Sequence, residues 1–348
     1  MVKLSNKYRM VIGITMVLFL ILGGCKSDEG SSQGAQVDQQ SQMSSESAEE
    51  QEKVTIRVGT LKGPTGMGMT GVMQAQDAGT AANDYVFTMT SAPEDMRAKL
   101  INGDVDVAAL PTNMASVLYN KADQSVSILA VNTLGVLYIL DSEQSVSTIE
   151  DLRGTTLYAT GQGATPEYVL RHILTQNGLE PGTDLELIFK SEHDELASLM
   201  IADEVTLGML PEPYVTTTTS QKEGLSVVLD ITQEWEKVSD GMSLAMGCIV
   251  VRNDFLEDNR DAVNAFLEEY RQSVEFVNSR PEEAAALMEE YDIVKQQVAL
   301  KAIPNCNIVY IDGDEMKASV ESLLQVLFEA NPQSVGGSLP DDAFYYKR

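Results

Sequence analysis

The sequence has few of the residues on which metal sites, many catalytic sites and nucleic-acid surfaces depend. Its 348 residues include two histidines, three cysteines and one tryptophan. Lys and Arg number 24 against 52 Asp and Glu, which gives a formal net charge of −28 at pH 7. Affinity for nucleic acid comes mainly from basic side chains that neutralise phosphates, so we predict no nucleic-acid partner. For the same reason we expect no electrostatic attachment to anionic lipid.

The scarce cysteines and histidines also show no spacing typical of a metal site or of nucleophilic catalysis. We therefore predict no metal, no cofactor and no enzymatic activity. His172 and His193 are expected to be structural or exposed. Cys248 and Cys306 can form a disulfide in an oxidising compartment or remain free, and the apolar surroundings of Cys248 favour a buried free thiol.

The N-terminal residues are typical of an export signal. Three basic residues precede an apolar run at 10–22, which is too short to span a bilayer comfortably. The run ends in Leu22-Gly23-Gly24-Cys25, which resembles the lipobox of bacterial lipoproteins. That resemblance implies a signal peptide at 1–24 and a lipid anchor on Cys25. Residues 25–52 are rich in Ser, Gln and Glu and contain no aromatic residue, which predicts a disordered tether.

The rest of the chain shows an internal correspondence at a constant offset of 100 residues. The segment LINGDVDVAALP at 100–111 aligns with MIADEVTLGMLP at 200–211, and both follow a similar strand, glycine loop and helix pattern. Such a duplication predicts two α/β lobes with mostly parallel sheets. Ligands of such sheets bind beyond the carboxyl ends of the strands, so we expect the strand-end loops of both lobes to surround one cleft.

These loops supply the candidate ligand-binding residues. After the first strand of each copy they are Lys62, Gly63, Thr65, Gly66, Met67, Gln162, Gly163, Ala164 and Thr165, and after the third strand they are Pro111, Thr112, Asn113, Glu212 and Tyr214.

The glycine loop LKGPTGMGM is not a nucleotide-binding loop, because Lys62 precedes the glycines and no lysine follows before Lys99. We predict instead that backbone N–H groups at a helix start meet a polar or anionic ligand, with Thr165 capping the equivalent helix of the second copy. The alternative is a tight turn that glycine merely permits.

Two interpretations also apply to the loop after the third strand of the second copy. Tyr214 can stack on a ligand while Glu212 accepts a hydrogen bond from it. Alternatively, Glu212 stabilises the start of a helix that the prolines delimit.

Several segments resemble one group of ABC-importer substrate-binding proteins, the nitrate/sulfonate/taurine and thiamine-precursor family. The segments are DLRGTTLYATGQGATPEYVLRHIL, MLPEPYVTT, CIVVRNDFLEDN and NPQSVGGSLPDDAFYYK. The resemblance covers about residues 54–347 and implies a type II periplasmic-binding-protein fold with two hinge crossings. It divides the chain into lobe 1, at 53–140 plus 244–348, and lobe 2, at 141–243.

The resemblance also implies a function. We expect a monomeric, extracytoplasmic, lipid-anchored protein whose cleft closes on a small organic ligand, either anionic or heterocyclic, such as a sulfonate or a pyrimidine-like molecule. A membrane permease and its ATPase would be its partners. The alternatives are an enzyme on the same fold, similar to thiamine-pyrimidine synthase but without its cysteine-rich motif, and a surface sensor without an importer.

Overall fold

The computed structural model describes residues 53–348, and the predicted signal peptide, the Cys25 anchor and the tether lie outside these residues. The strands are β1 (Thr55–Leu61), β2 (Asp84–Thr90), β3 (Val107–Pro111), β4 (Val126–Thr133), β5 (Leu137–Asp141), β6 (Thr156–Thr160), β7 (Glu186–Lys190), β8 (Leu207–Pro211), β9 (Ser226–Asp230), β10 (Gly247–Arg252) and β11 (Ile308–Ile311).

The helices lie mostly between these strands. They are α1 (Pro64–Met67), α2 (Thr70–Asp77), α3 (Pro93–Asn102), α4 (Thr112–Lys121), α5 (Thr165–Gln176), α6 (His193–Ile201), α7 (Tyr214–Gln221), α8 (Ile231–Val238), α9 (Asn253–Asp258), α10 (Arg260–Ser279), α11 (Pro281–Glu290), α12 (Gln296–Ala302) and α13 (Gly313–Ala330). Short 3₁₀ helices occupy Ile149–Leu152, Ile303–Asn305, Pro332–Val335 and Asp342–Phe344.

The strands form two sheets, and each sheet is the centre of one lobe. Lobe 1 has the order β2-β1-β3-β10-β4-β11, and lobe 2 has the order β7-β6-β8-β5-β9. In lobe 1 the strands β1, β2 and β3 are parallel, whereas β10 runs antiparallel between β3 and β4. In lobe 2, β5 takes the same antiparallel place between β8 and β9. The predicted two-lobed α/β fold is confirmed.

The predicted duplication is also confirmed. Each of β1, β2, β3 and β4 has a counterpart close to 100 residues later, in β6, β7, β8 and β9. Helices α3, α4 and α2 correspond in the same way to α6, α7 and α5, with small shifts. The buried runs at 107–110 and 207–210 have buried side chains throughout, as expected of strands covered by helices on both faces.

The lobes are connected by two chain crossings. The predicted lobe limit after residue 140 falls inside β5, which pairs with β8 and β9 in the second sheet. The first crossing is therefore at 134–136, and the second is at 239–246, between α8 and β10. Residues 137–140 belong to lobe 2 because each crossing leads directly into the antiparallel strand of the lobe that it enters. These strands are β5 in lobe 2 and β10 in lobe 1.

Both cysteines of the described residues are buried and free. Cys248 lies on β10, and Cys306 follows the 3₁₀ turn before β11. The Cys306 thiol contacts the Met67 sulfur at 3.9 Å. Of the two states that the sequence left open, the structure shows the free thiols. Among residues 53–348, none of the helices combines the length and the apolar character needed to cross a membrane.

Candidate functional site

A cavity of about 410 Å³ lies where the carboxyl ends of the strands of both lobes face each other. Lobe 1 contributes Pro64 and Thr65 after β1, Pro93 and Glu94 after β2, and Pro111, Asn113 and Met114 after β3. Lobe 2 contributes Gly161, Ala164, Thr165 and Pro166 after β6, His193 after β7, and Pro211 after β8. The floor is made by Thr133, Val136, Leu137, Met246 and Gly247 at the two crossings. The duplication thus produces a cavity with two similar walls.

The crossings are fixed to the walls by a matched pair of backbone hydrogen bonds. The Thr112 N–H donates to the Met246 carbonyl at 3.0 Å, and the Glu212 N–H donates to the Val136 carbonyl at 2.9 Å. Each bond extends a strand pair of one sheet into a crossing. The floor therefore belongs to the rigid sheets rather than to free loops.

Only some of the predicted ligand-binding residues in the glycine loop of lobe 1 line the cavity. Thr65 lines the cavity, whereas Lys62 does not and lies with its ammonium 2.6 Å from an Asp292 carboxylate oxygen. Gly63 precedes α1 with a φ of 103°, which favours glycine. A polar contact of this loop with a ligand remains a prediction, and Thr65 is the side chain placed for it.

The remaining two predicted residues of this loop have structural contacts. A β-carbon on Gly66 would lie 2.4 Å from the Leu61 carbonyl oxygen, so only glycine fits without backbone movement. Met67 is fully buried in the lobe 1 core, where it packs around Cys306. Neither residue lines the cavity, because the short helix α1 turns their side of the loop toward the sheet.

The equivalent loop of lobe 2 presents Ala164 and Thr165 to the cavity, while Gln162 and Gly163 are exposed beside it. Thr165 was predicted to cap α5. The structure instead begins the helix at Thr165, with Ala164 before it and no side-chain cap. Glu167, in the first turn of the helix, accepts a hydrogen bond from the Gly163 N–H of the preceding loop at 2.7 Å.

The segment at the end of β3 and the start of α4 contains both residues that line the cavity and a residue that is buried in the core. Pro111 and Asn113 line the cavity, and the Asn113 amide donates to the Ser334 carbonyl at 3.3 Å. Thr112 is fully buried between them and does not line it. One face of this loop is thus available to a ligand, and the other is part of the core.

Glu212 and Tyr214 lie behind the lobe 2 wall rather than on it. The Glu212 side chain is 3% exposed and accepts hydrogen bonds from the Thr216 N–H at 3.1 Å and the Thr216 hydroxyl at 3.0 Å. Its peptide bond to Pro213 is cis. Burial raises the pKa of Glu212. This geometry matches the helix-start interpretation of the two that the sequence allowed.

His193, which the sequence analysis expected to be structural or exposed, is one of the lining residues that it did not predict. Its Nδ1 lies 2.7 Å from the Thr160 hydroxyl, and its ring packs at 5.0 Å from the ring of Tyr214. Burial lowers the pKa of His193, which favours a neutral imidazole near pH 7. A signal for it existed, because residue 193 follows the second strand of its copy, and the strand-end rule applies to that loop as well.

The residues that the structure describes do not form a metal centre. Within residues 53–348, no group of three or more His, Cys, Asp or Glu side chains is arranged to hold a metal ion. The chemistry available in the cavity is that of neutral hydroxyl, amide and imidazole groups among prolines and methionines, with Glu94 as its carboxylate.

This arrangement of two α/β lobes, two crossings and a cavity at the strand ends defines a type II periplasmic-binding-protein fold. Solved structures similar to this chain have that fold. One is an ABC transporter protein from Parabacteroides distasonis, with 23% identity, a TM-score of 0.73, and coverage of 85% of this chain and 100% of that chain. Another is the periplasmic aliphatic sulphonate binding protein SsuA from Escherichia coli, with 18% identity, a TM-score of 0.67, and coverage of 84% and 92%.

A third similar structure is the periplasmic nitrate-binding protein NrtA from Synechocystis, with 15% identity, a TM-score of 0.58, and coverage of 82% of this chain and 84% of that chain. The family model described as Menaquinone biosynthesis, VitK2_biosynth, matches residues 67–329. The chain belongs to this family. A search of curated proteins found no match.

Proposed function

We propose that this protein is an extracytoplasmic solute-binding lipoprotein that binds a small organic ligand between its lobes and delivers it to an ABC importer. The observation that supports this most strongly is the cavity itself, which is shared by the strand-end loops of both lobes and lies on the two crossings. A ligand there contacts both lobes at once, so binding favours the closed arrangement by hinge motion. The similar ABC-transporter and binding-protein structures agree with this role.

The lobes contact each other beside the crossings and where α13 packs against α5. Beside one crossing, the Tyr138 hydroxyl of lobe 2 donates to the Asn305 carbonyl of lobe 1 at 2.8 Å. At the junction of α13 and α5, the Asn331 amide donates to the Tyr168 hydroxyl at 3.0 Å. Hydrogen bonds of this kind contribute about 0.5–1.5 kcal/mol each. Helices α13 and α5 also pack against each other at this junction, so a hinge motion rearranges that packing together with the hydrogen bonds.

Export and anchoring belong to the same proposal. They are supported by the lipobox-like sequence ending at Cys25 and by the Ser/Gln/Glu-rich segment at 25–52. We propose that the lipid on Cys25 holds the body at the outer face of the bacterial membrane, where the closed form meets the permease as a monomer. Metabolic labelling with a fatty acid, compared between wild type and Cys25→Ser, tests this part directly.

The binding role is tested with a pair of neighbouring substitutions. Ala164 lines the cavity and is exposed, whereas Gln162 is exposed on the same loop and does not line it. A metabolite screen by thermal shift, followed by small-angle scattering, should find a ligand that stabilises and compacts the protein. Ala164→Trp fills the cavity and should abolish both effects, while Gln162→Trp should keep them. If no compound stabilises the protein and none compacts it, the proposal is wrong.

A second candidate is an enzyme that converts the molecule it binds, and the family description Menaquinone biosynthesis is the observation that favours it. His193 is the side chain in the cavity best suited to move a proton, since it is held by Thr160 and neutral near pH 7. Recovering the bound compound after incubation and measuring its mass separates the two candidates. A solute-binding protein returns it unchanged, and an enzyme returns a product.

A further inference from the structure

In the part of the chain that the structure describes, no lysine or arginine lines the cavity, and the starts of three helices that reach it, α3, α5 and α6, already carry acidic side chains. We infer that the cavity selects a ligand whose buried part is uncharged, a largely apolar molecule with a hydrogen-bonding group, and that Thr133 and His193 recognise that group. The inference rests on the proposed binding function and narrows its ligand class. It separates this chain from the similar sulphonate and nitrate binders, whose named ligands are anions.

The first observation concerns charge. Of residues 53–348, no lysine or arginine lines the cavity, and Glu94 brings a negative charge to it. Lys62, the cation of the adjoining loop, is paired with Asp292 at 2.6 Å. A buried anion would therefore need backbone N–H groups and helix dipoles as its partners.

The second observation concerns those helix starts. Three of the helices whose first turn reaches the cavity contain proline there, Pro64 in α1, Pro93 in α3 and Pro166 in α5, and proline has no N–H to donate. Moreover, α3, α5 and α6 all carry acidic residues in the first turn. These acids already interact favourably with the positive helix ends, and they repel a second anion.

At the start of α5, part of the anion-binding capacity is already used by the protein itself. The Glu167 carboxylate is buried, and one oxygen accepts the Gly163 N–H at 2.7 Å while the other accepts the Arg171 Nε–H at 2.7 Å. The Ala164 N–H donates to the Gly161 carbonyl at 3.1 Å. The protein's own carboxylate thus takes the Gly163 N–H, a donor beside the cavity, which is then not available to a ligand anion.

The third observation identifies two of the polar groups that remain available in addition to the Thr65 and Thr165 hydroxyls at the walls. Thr133 lies on the floor, is only 3% exposed, and its hydroxyl has no hydrogen-bonding partner in the protein. His193 uses Nδ1 toward Thr160, which leaves Nε2 as a neutral donor or acceptor. The rest of the lining is dominated by prolines, Met114, Met246 and Leu137, a surface that suits an apolar body.

Arg97 is the cation that could contradict this inference. It follows Glu94 by one turn of α3, does not line the cavity, and has an Nε that is buried without a hydrogen-bonding partner. A movement of this side chain into the cleft would supply an anion partner. Arg97→Gln therefore belongs in the test.

The experiment uses matched pairs of probes that differ in charge but hardly in shape. Benzamide with benzoate, nicotinamide with nicotinate, and benzenesulfonamide with benzenesulfonate are compared by thermal shift and calorimetry near neutral pH, beside the metabolite screen. We expect the neutral member to bind more tightly, by about tenfold or more. Thr133→Val should weaken its binding by about tenfold. Thr112→Val, equally buried but outside the cavity, should leave it unchanged.

The outcomes separate this inference from the function on which it rests. If the anionic members bind more tightly, the inference is wrong while the binding function stands, and a loss of that binding in Arg97→Gln would identify the anion's partner. If the neutral members bind but Thr133→Val and His193→Phe leave affinity unchanged, the assigned recognition groups are wrong. If neither the probes nor the screen yields any ligand, the proposed binding function fails as well.

Discussion

Replacement of Glu212 tests whether this carboxylate stabilises the fold or contacts the ligand. In Glu212→Ala, the Thr216 N–H and hydroxyl lose the partners that now lie at 3.1 and 3.0 Å, and the Asn305 amide loses a longer contact at 3.4 Å. A hydrogen bond to a charged group contributes about 1.5–3 kcal/mol. Relief of the buried charge offsets part of this, so we expect a loss of about 2–3 kcal/mol in the free energy of unfolding.

Glu212→Gln is the matched control. The glutamine oxygen can accept from the Thr216 N–H while its amide donates to the Thr216 hydroxyl. Only the longer Asn305 contact is lost, so the change in stability should be about 1 kcal/mol, smaller than in Glu212→Ala. The two proteins should differ in pH dependence. Burial raises the pKa of Glu212 above its ordinary value of 4.5. Its contribution to stability is therefore fully present below pH 4.5 and is lost as pH rises through the folded-state pKa. The glutamine variant lacks this dependence.

Urea unfolding of both variants from acidic to neutral pH, with ligand titration of each folded protein, measures these effects. Because Glu212 does not line the cavity, Glu212→Gln should bind the ligand as wild type does. A large loss of affinity in Glu212→Gln without a loss of stability would refute the structural assignment and place the carboxylate on the ligand.

Three further predictions concern the loops and the core. Gly66→Ala should destabilise the protein by about 1–3 kcal/mol in urea unfolding, since its β-carbon would meet the Leu61 carbonyl at 2.4 Å, and a neutral result would contradict that contact. Burial lowers the pKa of His193, so the unfolding free energy should fall as pH drops below the ordinary value of 6.5, and His193→Gln should reduce that slope. Cys248, whose pKa burial raises to about 12, and Cys306 should resist a thiol reagent until urea is added, and rapid labelling of the native protein would contradict their burial.

The architecture was largely predictable from the sequence. The alignment of 100–111 with 200–211 placed a helix and a buried strand in each copy, and the structure has both at those positions. Periodicity and spacing suffice here because each lobe is a local, repeated unit. The lobe limit was less predictable, since the assignment of residues 137–141 to the second sheet depends on pairing with β8 and β9, about 70 and 90 residues away.

The sequence identified the loops that surround the cavity but not which of their side chains line it. The strand-end rule selected the loops that contain Thr65, Asn113 and Thr165, and all three line the cavity. The rule does not say which face of a tight turn is turned toward the sheet, and Met67 lies on that face. Thr133 could not be predicted as a lining residue from the sequence, because only the packing of the two crossings shows that this strand residue lies on the cavity floor.

Native mass spectrometry with the strongest compound from the screen tests the central claim, that one small molecule binds in the cavity between the lobes. Wild type and Gln162→Trp should each bind one molecule per chain, and Ala164→Trp should bind none, because the indole fills the space that Ala164 borders. Equal binding by wild type and a folded Ala164→Trp would contradict the claim, since it would place the ligand elsewhere on the protein.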